Sequence, residues 1–248
     1  MPYADLPRSR LYYEDQGSGH PVLALAPGGL DSQVDFWARR KTGEPRPFRN
    51  PIPALAERFR VITLDQRNAG RSTGVVSDQD GWHTYAEDYI ALMDHLGVDR
   101  FHLIGACIGG PLGFRLLELA PQRVSAFVVQ ATTGLHHGNR HLFDASFAGW
   151  QADLLRRQPE IPLAWLAAMN RRMYDGDFVF SVSRDFVRSS RVPLLVLAGG
   201  DHHHPLPISE EIVRLSPCAE FLREWQGEAH AEAYHGALLR FFIRHVPQ

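Results

Sequence analysis

Short apolar runs recur along the chain, separated by amphipathic stretches. Residues 22–26 (VLALA), 61–65 (VITLD), 101–105 (FHLIG), 126–131 (AFVVQA) and 193–199 (PLLVLAG) are apolar at nearly every position. Such runs are expected of strands covered on both faces. AEFLREW (219–225) reads as a last strand. Between them lie helical patterns: PIPALAERF, TYAEDYIALMDHLG, PLGFRLLELAP, ISEEIVRLSP and HGALLRFFIRHV. In IALMDHLG, Ile90, Leu92, Met93 and Leu96 form one apolar stripe, and Gly97 stands where the helix should end. Strand and helix alternating in this way predict a mostly parallel sheet with helices on both faces.

The rhythm breaks at residues 134–190. No strand pattern appears there, while aromatic residues at helical spacing do, in FDASFAGWQADLLRR and PLAWLAAMNRRMY. The reading is a small helical cap insertion over residues 134–190, dividing a core made of residues 1–133 and 191–248. Composition narrows the partners. The 248 residues are 44% hydrophobic and 22% charged, with a net charge of −2. No basic patch of the kind that neutralises phosphates is present, so nucleic acid is not an expected partner. No stretch approaches the roughly 18 apolar residues of a membrane helix. The first residues lack the apolar segment of a secretory signal, and only two cysteines occur, far apart. A cytoplasmic location with free thiols is therefore expected.

The chemistry concentrates in GACIGG (105–110), where an apolar strand meets a helix. A strand that turns directly into a helix forces a strained backbone on the turning residue and thrusts its side chain out at the sheet's carboxyl edge. Neighbours two positions either side must be tiny, a demand that Gly105 and Gly109 meet. Cysteine is also among the most buried residue types, so the turn alone leaves a nucleophile and a packing residue both open.

The surrounding landmarks close part of that gap. GACIGG resembles the nucleophile elbow of the α/β-hydrolase fold, with cysteine in place of the usual serine. LALAPGGLDS occupies the place of that family's oxyanion loop, with Pro27 where a histidine is common, and LDQRNAGRS resembles its D-x-R-G-x-G-x-S turn, with Asn68 replacing a glycine. The resemblance implies an α/β-hydrolase fold and a catalytic order of nucleophile, acid, histidine. On that order Cys107 is the nucleophile and Asp201, after the strand PLLVLAG, the acid. His230, after the last strand, is expected as the base, in preference to His235. The oxyanion hole is expected from the backbone N–H of Ile108 and from that of Gly29 or Leu30. Among the insertion's aromatics, Phe147 and Trp150 are candidate substrate contacts. Asp65 and Arg67 are expected to fix a loop rather than touch substrate.

No cofactor or metal is expected. His202, His203 and His204 are consecutive in one loop, and such residues rarely converge on one ion. Cys218 reads as a small half-buried residue. A thiol nucleophile also limits the substrate. A free cysteine titrates near pH 8.5 and only its thiolate attacks. A helix N-terminus contributes about 0.3–1 kcal/mol, less than the roughly 1.4 kcal/mol of one pKa unit. An imidazolium must supply the rest. Because thiolate leaves a tetrahedral intermediate more readily than alkoxide, activated acyl groups suit it best. The expected partner is a small-molecule acyl substrate: an activated ester, lactone or thioester, hydrolysed through a thioester acyl-enzyme. Dienelactone hydrolases are similar in using cysteine on this fold. Two other readings remain open at this level. One is an acyl-transfer, cyclisation or elimination enzyme on the same fold. The other is a non-catalytic binder of small molecules on a hydrolase scaffold.

Overall fold

The computed structural model describes residues 3–247. A nine-stranded sheet forms its centre. Five of its strands are β3 (Pro21–Leu25), β4 (Arg60–Leu64), β6 (Phe101–Ala106), β7 (Val124–Gln130) and β8 (Leu194–Leu197), and β9 (Ala219–Leu222) closes one edge. These six run parallel in the order β4-β3-β6-β7-β8-β9. The other edge is antiparallel: β2 (Ser9–Gly17) pairs with β4, with β1 (Tyr3–Asp5) and with the short β5 (Thr73–Gly74). The apolar runs do not reveal this edge. In β2 a tyrosine pair sits among Arg10, Glu14, Asp15 and Gln16, and four of its nine residues are exposed.

Period-two side-chain alternation divides the apolar runs between two cores. Leu23 and Leu25 belong to one, with Leu103, Phe127 and Val129; Val22 and Ala24 belong to the other, with Ile104, Val128 and Leu197. The first core is covered by α2 (Trp82–His95), α3 (Gly109–Leu119) and α7 (Leu206–Leu215). The second is covered by α1 (Ile52–Ala56) and α8 (Ala231–Arg244). Helices on both faces of a mostly parallel sheet match the sequence reading.

Between β7 and β8 the chain forms three helices and no strand: α4 (Arg140–Arg157), α5 (Leu163–Tyr174) and α6 (Arg184–Ser189). Phe143, Phe147 and Trp150 of α4 join the first core with Tyr174 and Phe180. The α4 helix also packs on the 3-10 turn Gly29–Asp31, which follows β3. Two polar links hold the loop after β4. Asp65 accepts from the backbone N–H of Val34 (2.9 Å) and of Arg71 (2.9 Å). Arg67 forms a buried two-pronged ion pair with Asp88 of α2, at 2.6 and 2.7 Å. Both residues are structural ties, in line with the sequence reading. No helix among the described residues is long and apolar enough to cross a membrane.

Candidate active site

Cys107 follows β6 directly and precedes α3, with φ at 58°. That left-handed conformation strains a residue bearing a Cβ, and it turns the side chain out of the sheet. The turn is fixed on both sides. Cys107 N–H donates to the Gln130 carbonyl (3.1 Å), and the Cys107 carbonyl accepts from Gly110 (3.1 Å) and Thr133 (3.2 Å). Space permits nothing larger than glycine at position 105, where a Cβ would meet the Gly109 carbonyl oxygen at 2.1 Å. Residue 109 is crowded in the same way, with the Leu25 carbonyl oxygen 2.7 Å from a built Cβ. The strained geometry expected of GACIGG is therefore present.

The structure brings Asp201 and a histidine to this thiol, but the histidine is His204, not His230. Asp201 lies in the loop after β8, and its Oδ1 accepts from the N–H groups of His203 (2.8 Å) and His204 (2.9 Å). The turn so formed swings the His204 ring back over the same carboxylate, with Nδ1 at 2.9 and 3.0 Å from its two oxygens. Gly199 permits the tight return, since a Cβ there would meet the His204 carbonyl oxygen at 2.1 Å. Nδ1 is thus committed to Asp201. Nε2 is buried without a well-aligned hydrogen bond of its own, yet the ring interacts with the Cys107 thiol strongly enough to move both pKa values. Loose alignment of this kind is common before substrate binds.

His230 ends a 3-10 turn, Glu228–His230, that leads into α8. The loop before it does reach the site, but through Trp225 and Gln226. Trp225 is buried, with Nε1 donating to the Ala198 carbonyl (2.9 Å), and Gly227 N–H is pinned to the Pro47 carbonyl (2.8 Å). With that loop anchored, its histidine stays off the cavity wall. His235 lies on α8, outside the cavity as well. Sequence order alone missed His204 because it follows Asp201 by only three positions. The available signal was an aspartate able to cap its own turn, placed between Gly199-Gly200 and Pro205.

Two backbone amides face the sulfur. Backbone N–H groups of Ile108 and Gly28 approach the Cys107 sulfur. Ile108 is one of the amides expected of an oxyanion hole; Gly28 directly precedes the other two candidates, Gly29 and Leu30. At φ 133°, Gly28 adopts a conformation that favours glycine, just before the 3-10 turn that holds Gly29 and Leu30. Leu30 is instead a buried core residue.

These contacts set the charges. Burial raises the Cys107 thiol, but the His204 charge and the Gly28 and Ile108 N–H groups outweigh it and lower the pKa to about 7. Burial lowers His204, but Cys107 and Asp201 outweigh it and raise its pKa to about 10. The His204 hydrogen bond holds Asp201 well below the usual carboxylate range. Between those two values the pair rests as thiolate and imidazolium. That arrangement can attack an electrophilic carbon and hand a proton to whatever leaves.

A cavity of 110 Å³ opens over the sulfur, lined by His204, Arg40, Arg46, Gln130 and Trp225 among others. Phe147 and Trp150 do not line it; both are buried in the first core. A roomier hollow of 520 Å³, beside Arg100, Pro121 and Val192, lies at the opposite, amino-terminal edge of the strands and has neither thiol nor histidine. Cys218, just ahead of β9, lies at that far edge too. No group of three or more His, Cys, Asp or Glu is gathered to hold a metal among the described residues.

Comparison with known proteins agrees with this architecture. The family model of the alpha/beta hydrolase fold matches residues 21–158. A protein named as a candidate carbamate hydrolase, RutD, of Caulobacter sp. (strain K31) is 28% identical over 269 residues, covering 93% of this chain and 95% of its own. A meta-cleavage product hydrolase, CumD, of Pseudomonas fluorescens IP01 superposes with a TM-score of 0.70 at 19% identity, over 96% of this chain and 97% of that one. The enol-lactonase of Burkholderia xenovorans LB400 does so with a TM-score of 0.69 at 21% identity, over 98% of this chain and all 100% of that one. With the family model spanning more than half of its length, this chain belongs to the alpha/beta hydrolase fold family.

Proposed function

We propose that the chain hydrolyses a small activated acyl compound, an ester, lactone or thioester, through a thioester acyl-enzyme on Cys107. His204 serves as general acid and base, and Asp201 orients it. The carrying observation is the strained Cys107 turn, with the Gly28 and Ile108 N–H groups and the Asp201-held His204 converging on its sulfur. In the first half-reaction the thiolate attacks the acyl carbon and a C–S bond forms. The carbonyl oxygen gains the electron pair and is held by the two amides. Collapse breaks the bond to the leaving group, which takes the proton from His204 Nε2. In the second half, His204 takes a proton from water as the water attacks the thioester. The new intermediate expels the Cys107 thiolate and releases the acid.

From the first intermediate the Cys107 thiolate departs more readily than an alkoxide or an amide nitrogen, so plain amides and unactivated esters are poor substrates. An enol-lactonase among the similar structures supports acyl chemistry of this activated type. The helices over residues 134–190 are proposed as a cap, with α4 packed on the 3-10 turn that follows β3.

The test is incubation with phenyl thioacetate or 4-nitrophenyl acetate under rapid quench. An acetyl adduct should form on Cys107, and Cys107→Ala should form none. An adduct confined to Cys218 would overturn the assignment.

A further inference from the structure

Resting on the nucleophile reading, the charge of the cavity wall narrows the substrate. The loop of residues 39–49 carries several cations, and their partners differ sharply. Lys41 is paired with Asp31 (2.7 Å) and Asp153 (2.9 Å), and Arg49 with Glu228 and Glu232. Arg40 and Arg46 form no ion pair among the described residues, and these two line the Cys107 cavity. Arg46 is half-buried and aimed rather than loose. Its Nε donates to the Phe36 carbonyl (2.8 Å), and its guanidinium lies 5.9 Å from the Phe36 ring centroid. One N–H is therefore spent on positioning, and the four on Nη1 and Nη2 have no partner among the described residues. Arg46 is close enough to Cys107 for their charges to interact.

A third donor shares the wall. Gln130 Oε1 accepts from the Tyr234 hydroxyl (2.6 Å), which leaves Nε2 of the same amide buried and unpartnered. The lining's one carboxylate, Asp201, is already held by His204. Surplus donors around a nucleophile call for an anionic ligand, and a planar guanidinium fork matches a carboxylate. The cavity is also small beside the roughly 300–1,000 Å³ of ordinary ligand pockets.

We propose that Arg46, with Arg40 and Gln130, forms a carboxylate subsite, so that the substrate is a short acyl compound bearing a free carboxylate near the carbon that Cys107 attacks. Neutral acyl compounds of the same size are then the poorer substrates.

Alkylation tests this without turnover. Iodoacetate and iodoacetamide are near-isosteres, and in both the thiolate displaces iodide as the S–C bond forms. The readout is the ratio of their rate constants on Cys107, taken above the thiol's titration so that its ionisation drops out. Arg46→Met should lower the iodoacetate-to-iodoacetamide ratio about tenfold, as expected for one charged hydrogen-bonding contact, and the Arg40→Met/Arg46→Met pair further. Arg39→Met removes the same charge from the same loop but not from the cavity wall, and should preserve the ratio. Reactive Cys107 with an equal ratio in wild type and Arg46→Met overturns the subsite alone, as does an equal fall in Arg39→Met. A wild-type thiol that reacts slowly with both reagents, titrating as free cysteine does, overturns the nucleophile reading beneath it.

Discussion

At the scale of single residues, the proposed chemistry rests on the pair of Cys107 and His204, and its protonation makes the clearest predictions. The folded thiol is lowered to about 7, so thiolate is populated above that pH, where a free thiol, near 8.5, is still mostly protonated. Iodoacetamide alkylation of Cys107 should therefore rise through about pH 7. Because His204 stays protonated up to about 10, kcat/KM for a thioester should fall again as pH passes that value. Both limbs belong to the coupled pair. Removing the imidazolium in His204→Ala should move the alkylation inflection up toward that of free cysteine. His230→Ala should leave it near the wild-type position; an inflection that moves with His230 instead would reverse the assignment. Gly105→Ala drives a Cβ into backbone at 2.1 Å, and overpacking of this kind should cost about 1–3 kcal/mol by urea denaturation.

Among the elements, one turn holds the site and one buried ion pair holds the loop after β4. The turn after β8 supplies both Asp201 and His204, folded against Gly199. Gly199→Ala should displace that turn, slowing Cys107 alkylation near neutral pH, while the far-ultraviolet circular dichroism keeps the wild-type shape. The Arg67–Asp88 pair ties the loop after β4 to α2, with side chains only 4% and 6% exposed. Arg67→Met strands a buried carboxylate and should cost about 3–5 kcal/mol in denaturant unfolding, with the Arg67→Met/Asp88→Leu double variant recovering much of it. Periodicity made the buried parallel strands and the amphipathic helices legible. It did not reveal β1 and β2, because an antiparallel edge strand with one wet face carries little apolar signal.

On the scale of the whole molecule, one sheet separates two cores that share no side chains, so damage on one face should not be felt on the other. Ile212 and Ile52 are buried on opposite faces. Ile212→Val and Ile52→Val should each cost about 0.5–1.5 kcal/mol in urea denaturation, and the double variant should equal their sum to within about 0.5 kcal/mol. The sequence by itself determined the layered parallel sheet, and its glycine pattern and missing strand signal anticipated the sharp strand-to-helix turn at Cys107 and the helices between β7 and β8. Those features rest on short-range demands: apolar alternation, and glycines where backbones collide. Asp201, singled out from the sequence, lies in the loop after β8 beside the Cys107 cavity. Tertiary structure alone decided which histidine and which loop amide face the sulfur. His230 and His204 both follow strands that end at the same sheet edge, and chain order does not rank them. Trp225 and Gly227 anchor one loop, while Asp201 folds the other back onto itself. The pairing of Lys41 and Arg49 elsewhere, which leaves Arg40 and Arg46 to the cavity, is likewise a matter of spatial neighbours. Side-chain partners far apart in sequence are set by packing, and packing is what a linear pattern does not contain.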